Sequence, residues 1–502
     1  MSLAAAGWTA PTVRLHRPTL LWSYALLAPA LIFILTSLDR GYQTDLWHHL
    51  ARGREMCQTG AIVNRDLFTY TVTDQPLMDN NWLTQVTAYK LYQLGGLNLV
   101  QAANSVLLAL AVAIVVGIGL RQGAPIRACA FVGVLMVAGL SSTLLIRPQT
   151  VSMLLFVVLL AILIAAERRR WLLAIVPLLM ILWANTHGAF PIGLVLIGCF
   201  TAAACVQAVR SRGRISVSPL WMLECFMASA LATLVNPYGW HVYEYVRTTS
   251  SRATARVIQE WLRPNVFTLS GAIWITTVIA MIVLAIANRR RVRPWMAITG
   301  LVFLAGSCTS VRMSIWWYFT AAPIAMALWP LREDQTERPS PATFAATASY
   351  AVIAGIMILC LPAMQRWNPI FSVRPSDRPE ENIQQLADVV ASQSPGARVF
   401  SRLEWGEYLS FALPWKQSIY MDGRIEIYPD NLWDEYSQIT SAAPEWESAL
   451  ARRGVTVLML DRHYHDGLIA AASKSPNWRE VATIGGGVIF VRNAEARMPT
   501  AE

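Results

Sequence analysis

Asp45, His48 and His49 stand at i, i+3 and i+4 in the run Thr44-Asp45-Leu46-Trp47-His48-His49-Leu50, a few residues after a hydrophobic stretch that ends at Leu38. On a helix that spacing lets either imidazole reach the carboxylate. Ionisable groups at the edge of an apolar segment are costly and usually have a task. A partly desolvated carboxylate at that depth could act as a general base towards a hydroxyl. Asp45 is therefore the first candidate for chemistry, with an N-cap of the following helix as the plain alternative. His48, hydrogen-bonded to Asp45, is a second candidate. Asp66 is a third, later in the same loop, where Asp74 and Asp79 suit turns and caps. Adjacent histidines on a helix diverge and no H-E-x-x-H spacing is present, so packing explains them better than a bound metal, although a divalent cation stays an option.

A second group is cationic. Arg147, His187 and Arg312 each fall at the end of an expected membrane helix, all on one side, where a positive group could grip a phosphate or pyrophosphate. Snorkelling to the interface is the competing explanation. Asn236-Pro237-Tyr238-Gly239-Trp240 and Gln259-Glu260-Trp261 bracket a loop rich in aromatics and Arg. With His49, its Tyr238 and Glu260 are candidates for holding a substrate, although Trp and Tyr are also ordinary interfacial anchors.

The elements that must position these groups are mostly membrane helices. In 502 residues, 55% are hydrophobic and only 14% charged, with a mean hydropathy of +0.41. That is too apolar for a water-soluble protein of this size. The net charge of +10 comes largely from Arg clusters between apolar runs. Without a basic stripe carrying interleaved aromatics, it excludes a nucleic-acid surface. About 20 apolar residues span a bilayer, and roughly eleven segments qualify: 18–38, 97–120, 125–146, 149–167, 171–186, 190–210, 218–235, 268–288, 294–311, 313–331 and 344–365. The first is too long for a signal-peptide core. Arg14 and Arg17, Arg121 and Arg127, Arg168-Arg169-Arg170, Arg210 with Arg212 and Arg214, and Arg289-Arg290-Arg291 with Arg293 occupy every second loop. Positive-inside bias puts those loops and the N-terminus in the cytoplasm, and loops 39–96 and 236–267 outside. With an odd number of spans the tail from 366 is outside too. Cys residues lie mainly in apolar runs, so no disulfide framework or zinc pattern follows.

The loop 39–96 contains a short amphipathic helix from Asp45 to about Met56, a strand-like run at Phe68–Thr73, and a second amphipathic helix capped by Asn80 or Asn81 and stopped at Gly95-Gly96. The tail, about 376–493, alternates helix and strand as an independent α/β domain would, favouring a mainly parallel sheet. Glu404-Trp405-Gly406-Glu407-Tyr408 and Asp422-Gly423-Arg424 fall near its expected strand ends, where ligands tend to bind, although Asp422-Gly423 also suits a plain turn. It has no dinucleotide or Walker motif.

The architecture resembles the GT-C superfamily of integral membrane glycosyltransferases, whose catalytic acid lies in the first extracytoplasmic loop; Asp45 occupies the matching place. It also looks like a group of bacterial membrane proteins sharing Asp45-x-Trp47-x-His49-Leu50-x-x-Gly53, Trp82-Leu83, Arg147-Pro148-Gln149, Asn185-x-His187-Gly188, Asn236-Pro237-Tyr238-Gly239 and Asp422-Gly423-Arg424. Two departures stand out: Asp39 and Asp45 are separated instead of closely paired, and Asn80-Asn81 replaces a His-Glu before Trp82-Leu83. The resemblance implies a polytopic α-helical membrane protein with about eleven spans and a C-terminal extracytoplasmic α/β domain, organised as 1–17, 18–365 and 366–502. It implies a bacterial inner-membrane protein that moves a sugar from a polyprenyl-phosphate-linked donor to a glycan, lipid or protein acceptor on the outer face. The alternative is a non-catalytic, membrane-anchored component of envelope polysaccharide assembly or export.

Overall fold

A computed structural model describes residues 20–38, 44–73, 75–141, 144–210, 217–255, 259–330, 344–367, 379–424 and 427–493. The N-terminal segment 1–17, Asp39, Asp74, Arg212 and Arg214 lie outside them.

Apolar runs free of Gly-Pro breaks become helices, and the first half is a bundle of them: α1 (Leu20–Leu38), α3 (Trp82–Arg121), α4 (Ile126–Leu140), α5 (Gln149–Ala166), α6 (Val176–Thr186), α7 (Phe190–Arg210), α8 (Pro219–Ala232), α10 (Leu269–Ala287), α11 (Pro294–Ser307), α12 (Val311–Leu328) and α13 (Phe344–Cys360). Among the described residues α3, α5, α7 and α10 are long and apolar enough to cross a membrane, and shorter apolar helices accompany them. Several expected spans end early; the one expected over 125–146 stops at Leu140. Buried Phe156, Trp183, Phe190, Trp317 and Phe319 form the bundle core. From Ser314 to Leu328, α12 is buried on every side.

Two helices lie apart from the apolar spans: α2 (Thr44–Thr59) and α9 (His241–Ala255). The expected amphipathic helix before Gly95-Gly96 joins the next span, so α3 runs for 40 residues through a kink. Gly96 has φ +62° there, a backbone region that favours glycine. Neither Asn80 nor Asn81 caps it; Asn81 is the N-cap residue but accepts no side-chain hydrogen bond.

The tail comprises α14 (Pro379–Gln393), β1 (Val399–Ser401), α15 (Leu403–Ala412), α16 (Asp430–Thr440), α17 (Trp446–Arg452), β2 (Val457–Asp461), α18 (Asp466–Lys474), β3 (Trp478–Ile484) and β4 (Gly487–Arg492). Its sheet has the order β1-β2-β4-β3. Only β1 and β2 pair in parallel, while β4 pairs antiparallel with both β2 and β3. The closing hairpin is where the sequence places it, over 479–484 and 488–492, but its tight turn forces antiparallel pairing, so the named strands do not form the mainly parallel sheet expected.

The tail is also not independent of the first loop. Ile419 bridges Val399 on one side and Thr69 on the other, both in parallel. The run Phe68–Thr73 is thus an extended edge of the tail's sheet and no separate strand. Tyr70 and Val72 join the tail's core. On the opposite layer, Leu46, Trp47 and Leu50 of α2 pack with Ile383, Leu386, Tyr408 and Leu409. Trp47 meets the Tyr408 ring edge-on at 4.8 Å between centroids. Lys416 pairs with Glu55 at 2.6 Å, and Arg54 donates to the carbonyl of Phe411 at 2.9 Å.

Candidate active site

α2 is the hub. Its residues leave in three directions, so the expected contact of Asp45 with the imidazoles gives way to other partners. Asp45 Oδ2 meets Arg147 Nε at 2.5 Å. His48 Nδ1 faces Glu407 Oε2 at 3.5 Å. His49 Nδ1 lies 3.0 Å from Gln85 Nε2. The two rings nevertheless touch, with centroids 4.1 Å apart. Gly53 allows α2 this close to α3: a Cβ there would clash with the backbone of Gln85.

Arg147, just before α5, links Asp45 to a second carboxylate. Its Nη1 donates to both oxygens of Glu260, at 3.0 and 2.9 Å. Arg312, in the first turn of α12, donates to the same carboxylate at 3.3 Å and lies 5.3 Å from the centre of the Trp261 ring. Two acids and two guanidiniums thus alternate: Asp45, Arg147, Glu260, Arg312. Side-chain exposures of 20–31% leave the cluster open to a ligand. Burial by itself would ease the proton off Arg147, but Asp45 and Glu260 outweigh it and hold the guanidinium charged. The cations expected to stand isolated are therefore paired.

His187 sits at the end of α6, where its Nδ1 lies 2.8 Å from Ser152 Oγ. Burial, then Arg312 and Arg147, bring its pKa down to about 3. It is neutral at pH 7, so it can offer a hydrogen bond but no charge to an anion, a correction to its expected cationic role.

Asp66 is not a second acid open to substrate. Its carboxylate accepts from Arg424 Nη1 at 2.5 Å, from the Thr69 backbone at 3.0 Å and from the Thr69 hydroxyl. Arg424 also binds Asp422, Nε to both oxygens at 2.8 Å, and Tyr428 donates to Asp422 at 2.7 Å. Asp66, Asp422 and Arg424 are all buried. Burial would push the Asp422 carboxyl up, but Arg424 more than reverses it and holds it below the usual range. This triad staples the first loop to the tail, and the Asp422-Gly423-Arg424 motif builds that joint at no ligand-facing strand end.

Other motifs are scaffold. Arg52 binds Asp79 at 2.8 Å, and Gln85 donates to the same carboxylate. The Tyr238 hydroxyl accepts from the Asp79 amide at 2.8 Å. Burial raises its pKa to about 12. Asn236 ties the turn below it, accepting from the Tyr238 amide and donating to Thr233 and Gly239. Trp82 Nε1 donates to Asn185 Oδ1 at 3.0 Å, locking α3 to α6. Beside this contact runs an open apolar groove of about 590 Å³ lined by Trp82, Leu83, Leu178, Ile181, Leu182 and Val235.

Among the described residues, no group of three or more His, Cys, Asp or Glu side chains is arranged to hold a metal ion.

Sequence reasoning missed Glu407 and Arg52 as members of this neighbourhood. The run Glu404–Tyr408 carried a signal, an acid inside an aromatic patch, but nothing local tied it to α2.

No protein-family model and no curated protein matches the chain by sequence. Solved structures do match in shape. The archaeal oligosaccharyltransferase AglB from Archaeoglobus fulgidus aligns with a TM-score of 0.56 at 12% identity, over 95% of this chain and 75% of that one. ArnT from Cupriavidus metallidurans aligns at 0.53 and 16%, over 95% of this chain and 99% of that one. The arabinofuranosyltransferase AftD from Mycobacteria aligns at 0.52 and 14%, over 97% of this chain and 41% of that one. At such low identity the likeness is one of fold, and the chain has a fold like that of the GT-C superfamily of membrane glycosyltransferases.

Proposed function

We propose that this chain is a bacterial inner-membrane glycosyltransferase that moves a sugar from a polyprenyl-phosphate-linked donor to an acceptor on the outer face. About eleven spans, a cytoplasmic N-terminus and an extracytoplasmic tail complete the reading, supported by the Arg clusters of alternate loops. The observation that carries it is Asp45 on Arg147, with Arg312 one carboxylate away. In this reading the phosphate of the donor displaces Glu260 from between the two guanidiniums, which match phosphate oxygens as they match a carboxylate. Asp45 accepts the proton of the attacking hydroxyl as its oxygen bonds to the anomeric carbon of the sugar; the bond from that carbon to the phosphate breaks, and polyprenyl phosphate leaves, held by the guanidiniums. His187, its Nδ1 held by Ser152 and the Ala189 amide, offers Nε2–H as a neutral donor, and the apolar groove beside Trp82 takes part of the lipid chain. A glycan, lipid or protein acceptor enters from the side of the tail.

The test uses membranes containing the full chain and a panel of radiolabelled sugars linked to polyprenyl phosphate. Asp45→Asn should abolish transfer while expression and membrane insertion stay unchanged. Undiminished transfer in that variant removes Asp45 from the mechanism.

A further inference from the structure

His48 and Glu407 come from opposite halves of the chain and meet where α15 crosses α2. Their side chains are 9% and 2% exposed, and His48 Nδ1 lies 3.5 Å from Glu407 Oε2. Neither atom has a hydrogen-bond partner among the described residues. Two buried polar atoms left without partners are costly. The approach is built by shape: Gly423 lies under the Glu407 carboxylate, and a Cβ there would collide with Oε1.

Charge decides which groups carry protons. Burial leads in holding the His48 imidazole neutral, and Arg52, Arg424 and Arg147 add to it, with the ring of His49 packed alongside. Around Glu407 stand Asp45 and Asp422 against Arg147 and Arg424, and burial leads in pushing its carboxyl up. An ion pair would put a buried cation among three arginines and a buried anion where two acids already offset two arginines. A neutral carboxyl donating to a neutral imidazole satisfies both orphaned atoms and adds no charge.

Resting on the Asp45 reading above, we propose that Glu407 is a positioning residue: its carboxyl O–H donates a hydrogen bond to His48 Nδ1, fixing the first turn of α2 so that Asp45 faces Arg147. The C-terminal unit thereby completes the site with one side chain that does not touch substrate.

Purified full-length protein in detergent at pH 7 should show the infrared carbonyl stretch of a protonated carboxylic acid, shifted in heavy water and missing from Glu407→Gln. In [15N]histidine-labelled protein, the His48 signal, identified by its loss in His48→Gln, should report Nδ1 as an unprotonated hydrogen-bond acceptor in the wild type and in Glu407→Gln, and as a free nitrogen in Glu407→Leu. Matching infrared spectra for wild type and Glu407→Gln, or an imidazolium signal from His48, overturns the bond. Transfer should fall roughly tenfold or more in Glu407→Leu, as misplaced reacting groups do, and recover in large part in Glu407→Gln. Equal losses in the two overturn the positioning role. A wild-type chain inactive with every lipid-linked donor would sink the transferase reading alone, because the infrared and imidazole signals would still decide the bond.

Discussion

Glu260 holds Arg147 and Arg312 together in the structure, and the same contact stands in the way of an incoming anion. The pairs are partly exposed, so each contributes about 1 kcal/mol or less. Glu260→Gln should therefore tighten binding of polyprenyl phosphate roughly fivefold, measured by titration into purified protein; weaker binding would make Glu260 part of the anion site. Arg424 behaves differently because it is buried between two acids. Arg424→Met leaves Asp66 and Asp422 without their cation and should cost about 3–5 kcal/mol, read as a loss of thermal stability in detergent. The same joint sets an acid limit. Asp422 titrates lower folded than unfolded, so its stabilisation is present above the unfolded value near 3.9 and disappears as pH falls through the folded one. Among these residues the types were legible early, but the partners were not: Asp66 read as a possible acid because nothing local announces Arg424, 358 positions away.

At the scale of elements, α2 works because it is clamped on two sides, by α3 and by α15. Gly53→Val would force α2 off the backbone of Gln85 and with it shift Asp45. The expected outcome is a folded but looser protein, with faster hydrogen exchange in α2 than in α5; unchanged exchange would show the close approach to be dispensable. Helix α2 also carries a pH signature. His48 and His49 are both held neutral, first by burial, so their folded pKa values lie below the unfolded value near 6.5. The unfolded chain binds more protons in that window, so stability should fall as pH drops below about 6.5. Melting temperatures across pH 7.5 to 5 in His48→Gln and wild type measure the share of His48; identical slopes would place the effect elsewhere. The amphipathic pattern from Asp45 to Met56 revealed α2 itself, because a half-buried helix writes its period into the sequence. The extended runs around Val399 and Ile419 were legible; hidden were the helix α15 and the partner of Ile419, since its bridge to Thr69 joins segments far apart in the chain.

For the whole molecule, the consequence is that the tail is part of the site's frame. Its core takes in Leu46, Trp47 and Leu50 from α2 and Tyr70 and Val72 from the first loop. Ending the chain at residue 378 would uncover that surface and take from Asp66 its partner Arg424. The truncated membrane portion should aggregate on size-exclusion chromatography instead of running as a monodisperse species. A stable, monodisperse truncation that still performs transfer would return the tail to the status of a separable module.

Composition and hydrophobic runs alone determined that this is a helical membrane protein with a mixed α/β tail and a polar loop after its first span. Those features follow from transfer energies and helix period, which act residue by residue along the chain. The direction each chemical group faces was decided only by tertiary structure. Asp45, His48 and His49 lie within five residues of one helix, yet Arg147 ahead of α5, Glu407 of α15 and Gln85 of α3 each claim one of them. Ion pairs and buried hydrogen bonds depend on a few tenths of a nanometre between segments hundreds of residues apart, and no local pattern encodes that distance.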